Sequence, residues 1–335
     1  MNEYTPSLCN LFAKNFYIGA AVTPFTIKQQ EELITTHFNS ITAENEMKFV
    51  SVHPSEDEYT FEKADTLMAF AKENDMHVRG HTLIWHNQTS DWIFENKDGS
   101  TPTRDQLLTR MKTHIHKVMG RYKGEIYAWD VVNEAISDKE DEFLRPSKWL
   151  EIIGEDFIAK AFEFAREADP HAQLFYNDYN EVNPIKRDKI FKLVQSLKEQ
   201  GVPIDGIGLQ GHWSIYGPSI DLIREAMKKY ASLGVRLHVT ELDLSVFDHE
   251  DKRTDLTKPT NEMLSLQTER YRDIFQLFLE HRTHLESVTF WGAADDYTWL
   301  DHFPVRGRKN WPFLFDENHL PKQSFHEIVK LQQKS

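Results

Sequence analysis

Eight short stretches rich in β-branched, aromatic and small apolar residues recur along the 335-residue chain, and longer segments with helical periodicity separate them. The stretches are YIGAAV (17–22), SITAEN (40–45), HVRGHTLIW (77–85), YAWDVVNE (127–134), LFYNDYN (174–180), GIGLQGHW (206–213), RLHVTELD (236–243) and VTFWGAAD (288–295). After the seventh, Tyr271, Ile274, Phe275, Phe278 and Leu285 return at helical spacing. In NPIKRDKIFKLVQSLKEQG, Pro184 opens a helix and Gly201 closes it. No Pro/Gly/Ser-rich linker breaks the series. The pattern predicts an α/β fold made of one (β/α)8 barrel, a single domain over 1–335, rather than two doubly wound domains. The longest irregular segment, SVFDHEDKRTDLTKPT (245–260), is too charged for a core and is predicted to be a rim loop.

Polar and aromatic residues gather at the C-terminal ends of these stretches. The second ends in Glu44 and Asn45, with Lys48 beyond; the third holds His81, Trp85 and His86; the fourth ends in Asn133 and Glu134. The fifth ends in Asn177, Asp178 and Tyr179, the sixth in Gln210 and His212, the seventh in Glu241 and Asp243, and the eighth in Trp291, with Trp299 after it. A lone strand-end Asn or His is most often a satisfied turn residue. Seven of eight strands ending this way, on the one face where barrels of this type build their sites, predict an active site instead.

Glu134 and Glu241 end the fourth and seventh strands, on opposite sides of an eight-stranded barrel. Alone, either could be a rim ion-pair partner. Period-two alternation puts Glu241 and Asp243 on one side of their strand, next to His212, so a network of the three would orient Glu241 and keep it ionised. Glu134 follows an apolar run, where desolvation and the Glu241 charge should raise its pKa. An ionised nucleophile facing a protonated acid is the pair used by retaining glycosidases.

The motifs WDVVNEA, VTELD, RGHTLIWH, ITAENEMK, GLQGHW and TFWGAADDYTW, in order over essentially the whole chain, resemble the endo-β-1,4-xylanases of glycoside hydrolase family ten. The resemblance implies a (β/α)8 barrel, retention of configuration, Glu134 as acid/base and Glu241 as nucleophile. It also implies that Asn133 holds the sugar 2-hydroxyl in the −1 subsite, with Lys48, His81, Gln210 and His212 lining that subsite. Glu44 and Asn45 match the −2 subsite; Trp85, Trp291 and Trp299 match stacking walls; Asn177 and Tyr179 resemble residues on the leaving-group side. A cis His81–Thr82 bond is implied as well. Trp129, Trp149 and Trp311 read as core packing.

The charge balance narrows the partners. With 39 Lys and Arg against 53 Asp and Glu, the net charge of −14 repels polyanions, so nucleic acid and anionic membrane surfaces are excluded in favour of a neutral sugar. A sugar offers hydroxyls and weakly apolar C–H faces, which Trp platforms edged by Asn, Gln, Glu, Lys and His suit. No cofactor is expected, and neither a monomer nor a homo-oligomer is singled out. The N-terminus lacks a basic segment followed by an apolar run, and Cys9 is the single cysteine, so a cytoplasmic enzyme without a carbohydrate-binding module, acting on imported xylo-oligosaccharides, is expected.

Three rivals remain. A metal-dependent hydrolase could use the HIH at 114–116, but residues two apart on a helix face different directions. A sugar-binding barrel would not need both carboxylates. A related glycosidase could act on cellulose or mannan, which differ from xylan by a hydroxymethyl group. NQT at 87–89 matches a glycosylation pattern by chance, and Arg306 and Arg308 are expected on a solvated rim loop.

Overall fold

Each predicted stretch contains a strand, and the strands pair in parallel in chain order. They are β1 (Tyr17–Val22), β2 (Ser40–Ala43), β3 (His77–Trp85), β4 (Ile126–Asn133), β5 (Gln173–Asp178), β6 (Gly206–Leu209), β7 (Arg236–Ser245) and β8 (Leu285–Phe290). β6 pairs with β7 from Gly206 opposite Arg236, and β8 returns to β1 with Ser287 opposite Tyr17, so the sheet closes into an eight-stranded barrel. The computed structural model describes residues 5–333; the ends of the predicted 1–335 domain lie outside them.

A helix follows every strand: Glu31–His37, Glu62–Glu73, Arg104–Arg121, Phe157–Ala168, Pro184–Glu199, Ile220–Ala231, Asn261–Glu280 and Gln323–Gln333. Local chemistry sets their ends. Asn183 caps Pro184–Glu199 by accepting from the amides of Ile185 and Lys186, and Gly201 takes φ +74° just past its end. Thr103 and Gln106 form a reciprocal capping box at the start of Arg104–Arg121. Among the described residues no helix is long and apolar enough to cross a membrane.

Strand ends depart from the sequence pattern where the backbone turns. β2 stops at Ala43, β5 at Asp178 and β4 at Asn133, so Glu44, Tyr179 and Glu134 sit just past their strands. The sixth stretch breaks after Leu209: Gly211 takes φ +75°, and the chain resumes as a three-residue strand, His212–Ser214, paired with β7 at Asp243. The eighth begins earlier, at Leu285, which starts a strand instead of continuing the helix, and ends at Phe290. Gly292 then takes φ +146°, and a Cβ there would lie 2.6 Å from the Phe313 ring.

The barrel interior contains charge. The Arg79 guanidinium grips Asp130 through two bonds of 2.5 Å, with both residues at most 1% exposed, and Asp130 also bonds His81 Nδ1 at 2.9 Å. Trp129, Trp149 and Trp311 are buried, as expected of packing. Within the 245–260 loop, Val246 and Phe247 are buried in a small cluster with Trp311 while the charged stretch beyond is exposed. Arg308 departs from its expected solvated setting. It is 2% exposed and stacks on Phe247 at 4.0 Å, while Arg306 is exposed. His114 and His116 point apart: His114 packs on Phe49 and meets His53 at 3.1 Å, whereas His116 pairs with Glu167 at 3.4 Å.

Candidate active site

Glu134 leaves β4 with φ +58°, a left-handed conformation that non-glycine residues rarely adopt. Two bonds hold it there. Its N–H donates to the Asn177 carbonyl at 2.9 Å, and its carbonyl accepts from Arg145 Nε at 3.1 Å. The carboxyl accepts from Trp85 Nε1 at 2.8 Å and from Gln210 Nε2 at 2.9 Å. Burial raises its pKa above the ordinary glutamate value, helped by the Asp178 charge and, after it, the Glu241 charge, against the two hydrogen bonds.

Glu241 is tuned the other way. Burial alone would raise its pKa, but the His212 bond and the imidazoles of His81 and His212 outweigh burial and hold it below the ordinary value. His212 Nε2 lies 3.0 Å from Glu241 Oε2 and its Nδ1 2.9 Å from Asp243 Oδ2. Burial disfavours the imidazolium, yet Asp243 and then Glu241 outweigh burial and raise its pKa well above the ordinary histidine value. The network predicted for His212, Asp243 and Glu241 is present, and Trp299 extends it by donating to Asp243 at 2.8 Å.

Amides join the two carboxyl groups. Asn177 Nδ2 donates to Glu241 Oε1 and to Asn133 Oδ1, both at 2.9 Å, while its Oδ1 accepts from Thr240. Gln210 Nε2 donates to Asn133 Oδ1 at 3.3 Å as well as to Glu134. Asn133 therefore uses its oxygen on the protein and keeps its amide hydrogens without a partner among the described residues, ready to donate to a ligand oxygen. Asn177 is fully buried, and both its side-chain polar atoms bond protein groups between the two carboxylates.

Farther along, Lys48 Nζ bonds Asn45 Oδ1 at 3.0 Å and lies 5.4 Å from the centre of the Trp85 ring. Burial lowers its pKa, and Glu241, Glu44 and Glu134 oppose that. Burial also raises the pKa of Glu44, against the Lys48 charge. Trp291 sets an edge against His81 at 5.3 Å, and the His81–Thr82 bond is cis. A groove of about 430 Å³ is lined by Asn180, His212, Trp213, Trp299, Phe303 and Arg308 among others. Among the described residues no group of three or more His, Cys, Asp or Glu side chains is arranged to hold a metal ion.

A family model described as glycosyl hydrolase family 10 matches residues 7–331. The chain belongs to glycosyl hydrolase family 10. It is 60% identical over 329 residues to endo-1,4-beta-xylanase B of Paenibacillus barcinonensis, covering 98% of this chain and 99% of that protein. It is 56% identical over 328 residues to an endo-1,4-beta-xylanase of Geobacillus stearothermophilus, with 97% and 98% covered. The crystal structure of xylanase XynB from Paenibacillus barcinonensis complexed with a conduramine derivative matches with a TM-score of 0.96 at 60% identity, over 98% of this chain and 99% of that one. A mutant structure in complex with xylotriose matches at 0.95 and 47% identity, over 97% and 99%.

This family 10 hydrolase ties its strand-end residues to three that the strand-end pattern did not single out, Lys186, Asp138 and Arg145. Asp178, fully buried, accepts from Tyr176 at 2.5 Å and pairs with Lys186 at 2.9 Å. Lys186 also pairs with Asp138 at 2.8 Å, and Asp138 with Arg145 at 2.9 Å, which leads back to the Glu134 backbone. Tyr179 gives its hydroxyl proton to Asp138 and accepts from Arg145 at 2.7 Å. Trp149, read as packing, also supports the site: its Nε1 donates to the Trp85 carbonyl at 3.0 Å.

Proposed function

We propose that this family 10 hydrolase is a retaining endo-β-1,4-xylanase that cleaves xylan-derived oligosaccharides by double displacement. The observation that carries the reading is the opposed tuning of two carboxyl groups joined by amide bonds: Glu134 poised to hold a proton and Glu241 poised to stay ionised. In the first step a Glu241 oxygen bonds to the anomeric carbon as the glycosidic bond breaks, and the Glu134 proton goes to the departing oxygen. In the second, Glu134, now a carboxylate, takes a proton from water, whose oxygen bonds to the anomeric carbon and frees Glu241. His212 helps to spread the nucleophile's charge and holds its orientation.

The unpartnered amide hydrogens of Asn133 fit a contact to the sugar 2-hydroxyl, which strengthens toward the transition state. Lys48, Asn45 and Glu44 offer hydroxyl partners beside the Trp85 ring, on the non-leaving side. Xylan as substrate is supported by the relatives named as endo-1,4-beta-xylanases at 60% and 56% identity. The test is product analysis on xylotetraose and cellotetraose with anomers followed by NMR. The β-anomer should appear first, with xylotetraose turned over faster by roughly tenfold or more. First release of the α-anomer, or preference for cellotetraose, contradicts the reading.

A further inference from the structure

Past β1 the chain makes a tight turn in which Thr23 and Thr26 each donate a backbone N–H to the other's hydroxyl, at 2.9 and 3.1 Å. The turn presents Phe25 to solvent with 58% of its surface exposed. One exposed phenylalanine says little by itself; its neighbours say more. The Tyr297 ring lies 6.2 Å from it, tilted by 42°. Tyr297 in turn is hydrogen-bonded to Glu44, whose backbone N–H donates to the Val22 carbonyl at 3.0 Å. The loops holding the two rings are tied together: Gln30 donates to Asp296 at 2.6 Å, and His319 meets the other Asp296 oxygen at 3.1 Å.

A continuous path of contacts therefore runs from Trp85 and Lys48 through Asn45 and Glu44 to Tyr297 and Phe25. Its outer end is an aromatic surface carried on loops that hydrogen bonds tie together, so a ligand docking there has little backbone to order. The chemistry that suits it is a sugar ring, which lays a C–H face on an aromatic ring while its edge hydroxyls stay in water. We propose that Phe25 and Tyr297 form a third sugar position on the non-leaving side, filled by the xylosyl unit two residues beyond the one attacked. This rests on the xylanase reading and adds a chain-length preference to it.

The test compares kcat/KM for 4-nitrophenyl β-xylobioside and β-xylotrioside, in which the aryl group takes the leaving side and the extra sugar is confined to the proposed position. The trioside should be the better substrate, and Phe25→Ala should lower the trioside-to-bioside ratio by roughly threefold to tenfold. Phe25→Trp, which keeps an aromatic face, should hold the ratio near its original value. Because the readout is a ratio, a general loss of folded enzyme cancels. A ratio of one in the unsubstituted protein, or a ratio unmoved by Phe25→Ala, overturns this inference and leaves the xylanase reading standing. Failure to cleave either xyloside overturns both.

Discussion

The Glu134 carboxyl accepts two hydrogen bonds that favour its ionised form, yet its pKa is raised, because burial and the Asp178 charge outweigh them. In the proposed mechanism Glu134 carries its proton into the first step, so activity is expected to fall as pH rises through that raised pKa. In Asp178→Asn the negative charge is gone and Lys186 keeps its bond to Asp138, and both effects favour the Glu134 carboxylate. The alkaline limb of kcat/KM against pH on xylo-oligosaccharides is expected to move to lower pH. A limb that stays in place in a folded variant would contradict the assignment. Glu134, Glu241, His212 and Asp243 were legible in the sequence because strand alternation and strand ends point to them. Asp178 was visible at a strand end, but its counter-ion Lys186 lies on the next helix, and Arg145 lies in an irregular segment with no periodicity to read. The strand-end pattern placed Asn177 at the site but could not say that both its side-chain atoms are spent on the protein.

Between β3 and β4 the bond from Arg79 to Asp130 sits below the catalytic floor, and Asp130 also positions His81, whose Nδ1 is 4.0 Å from Glu241. Removing the Asp130 carboxylate leaves a buried guanidinium whose one remaining side-chain hydrogen bond among the described residues is to His238 Nδ1, at 3.1 Å. Asp130→Ala is expected to destabilise the fold by about 3–5 kcal/mol, measured by chemical denaturation. A loss below about 1 kcal/mol would mean that water or the protein re-solvates Arg79 easily. Strand existence was legible at all eight places because the runs are long enough and each is followed by a segment with helical periodicity. Strand ends were less so. GIGLQGHW and VTFWGAAD read as continuous, but Gly211 and Gly292 adopt positive φ and break the pairing, a backbone property that apolar periodicity does not encode. Leu285 matched the helical spacing by chance and begins β8.

Closure of the barrel brings together carboxylates from strands far apart in the chain, and no local pattern in either segment reveals the other. The eightfold alternation made that closure legible, and with it the face on which Glu134 and Glu241 meet. The burial of Arg308 on Phe247 was not legible, because it depends on how the rim loops after β7 and β8 pack on each other. The same limit applies to the aromatic pair of Phe25 and Tyr297, joined only across the β1 and β8 rims. The central claim is that Glu241 bonds to the sugar while Glu134 moves the proton. It is tested most directly by incubating the enzyme with a 2-deoxy-2-fluoro-β-xylobioside bearing a dinitrophenyl leaving group. The fluorine slows both steps by withdrawing electrons from the oxocarbenium-like transition state and by removing the 2-hydroxyl contact, and the leaving group restores the first. Mass spectrometry should find one fluoroxylobiosyl group per protein, on the peptide that contains Glu241. An adduct on another residue, or release of dinitrophenol with no adduct and the α-anomer formed first, would contradict the account.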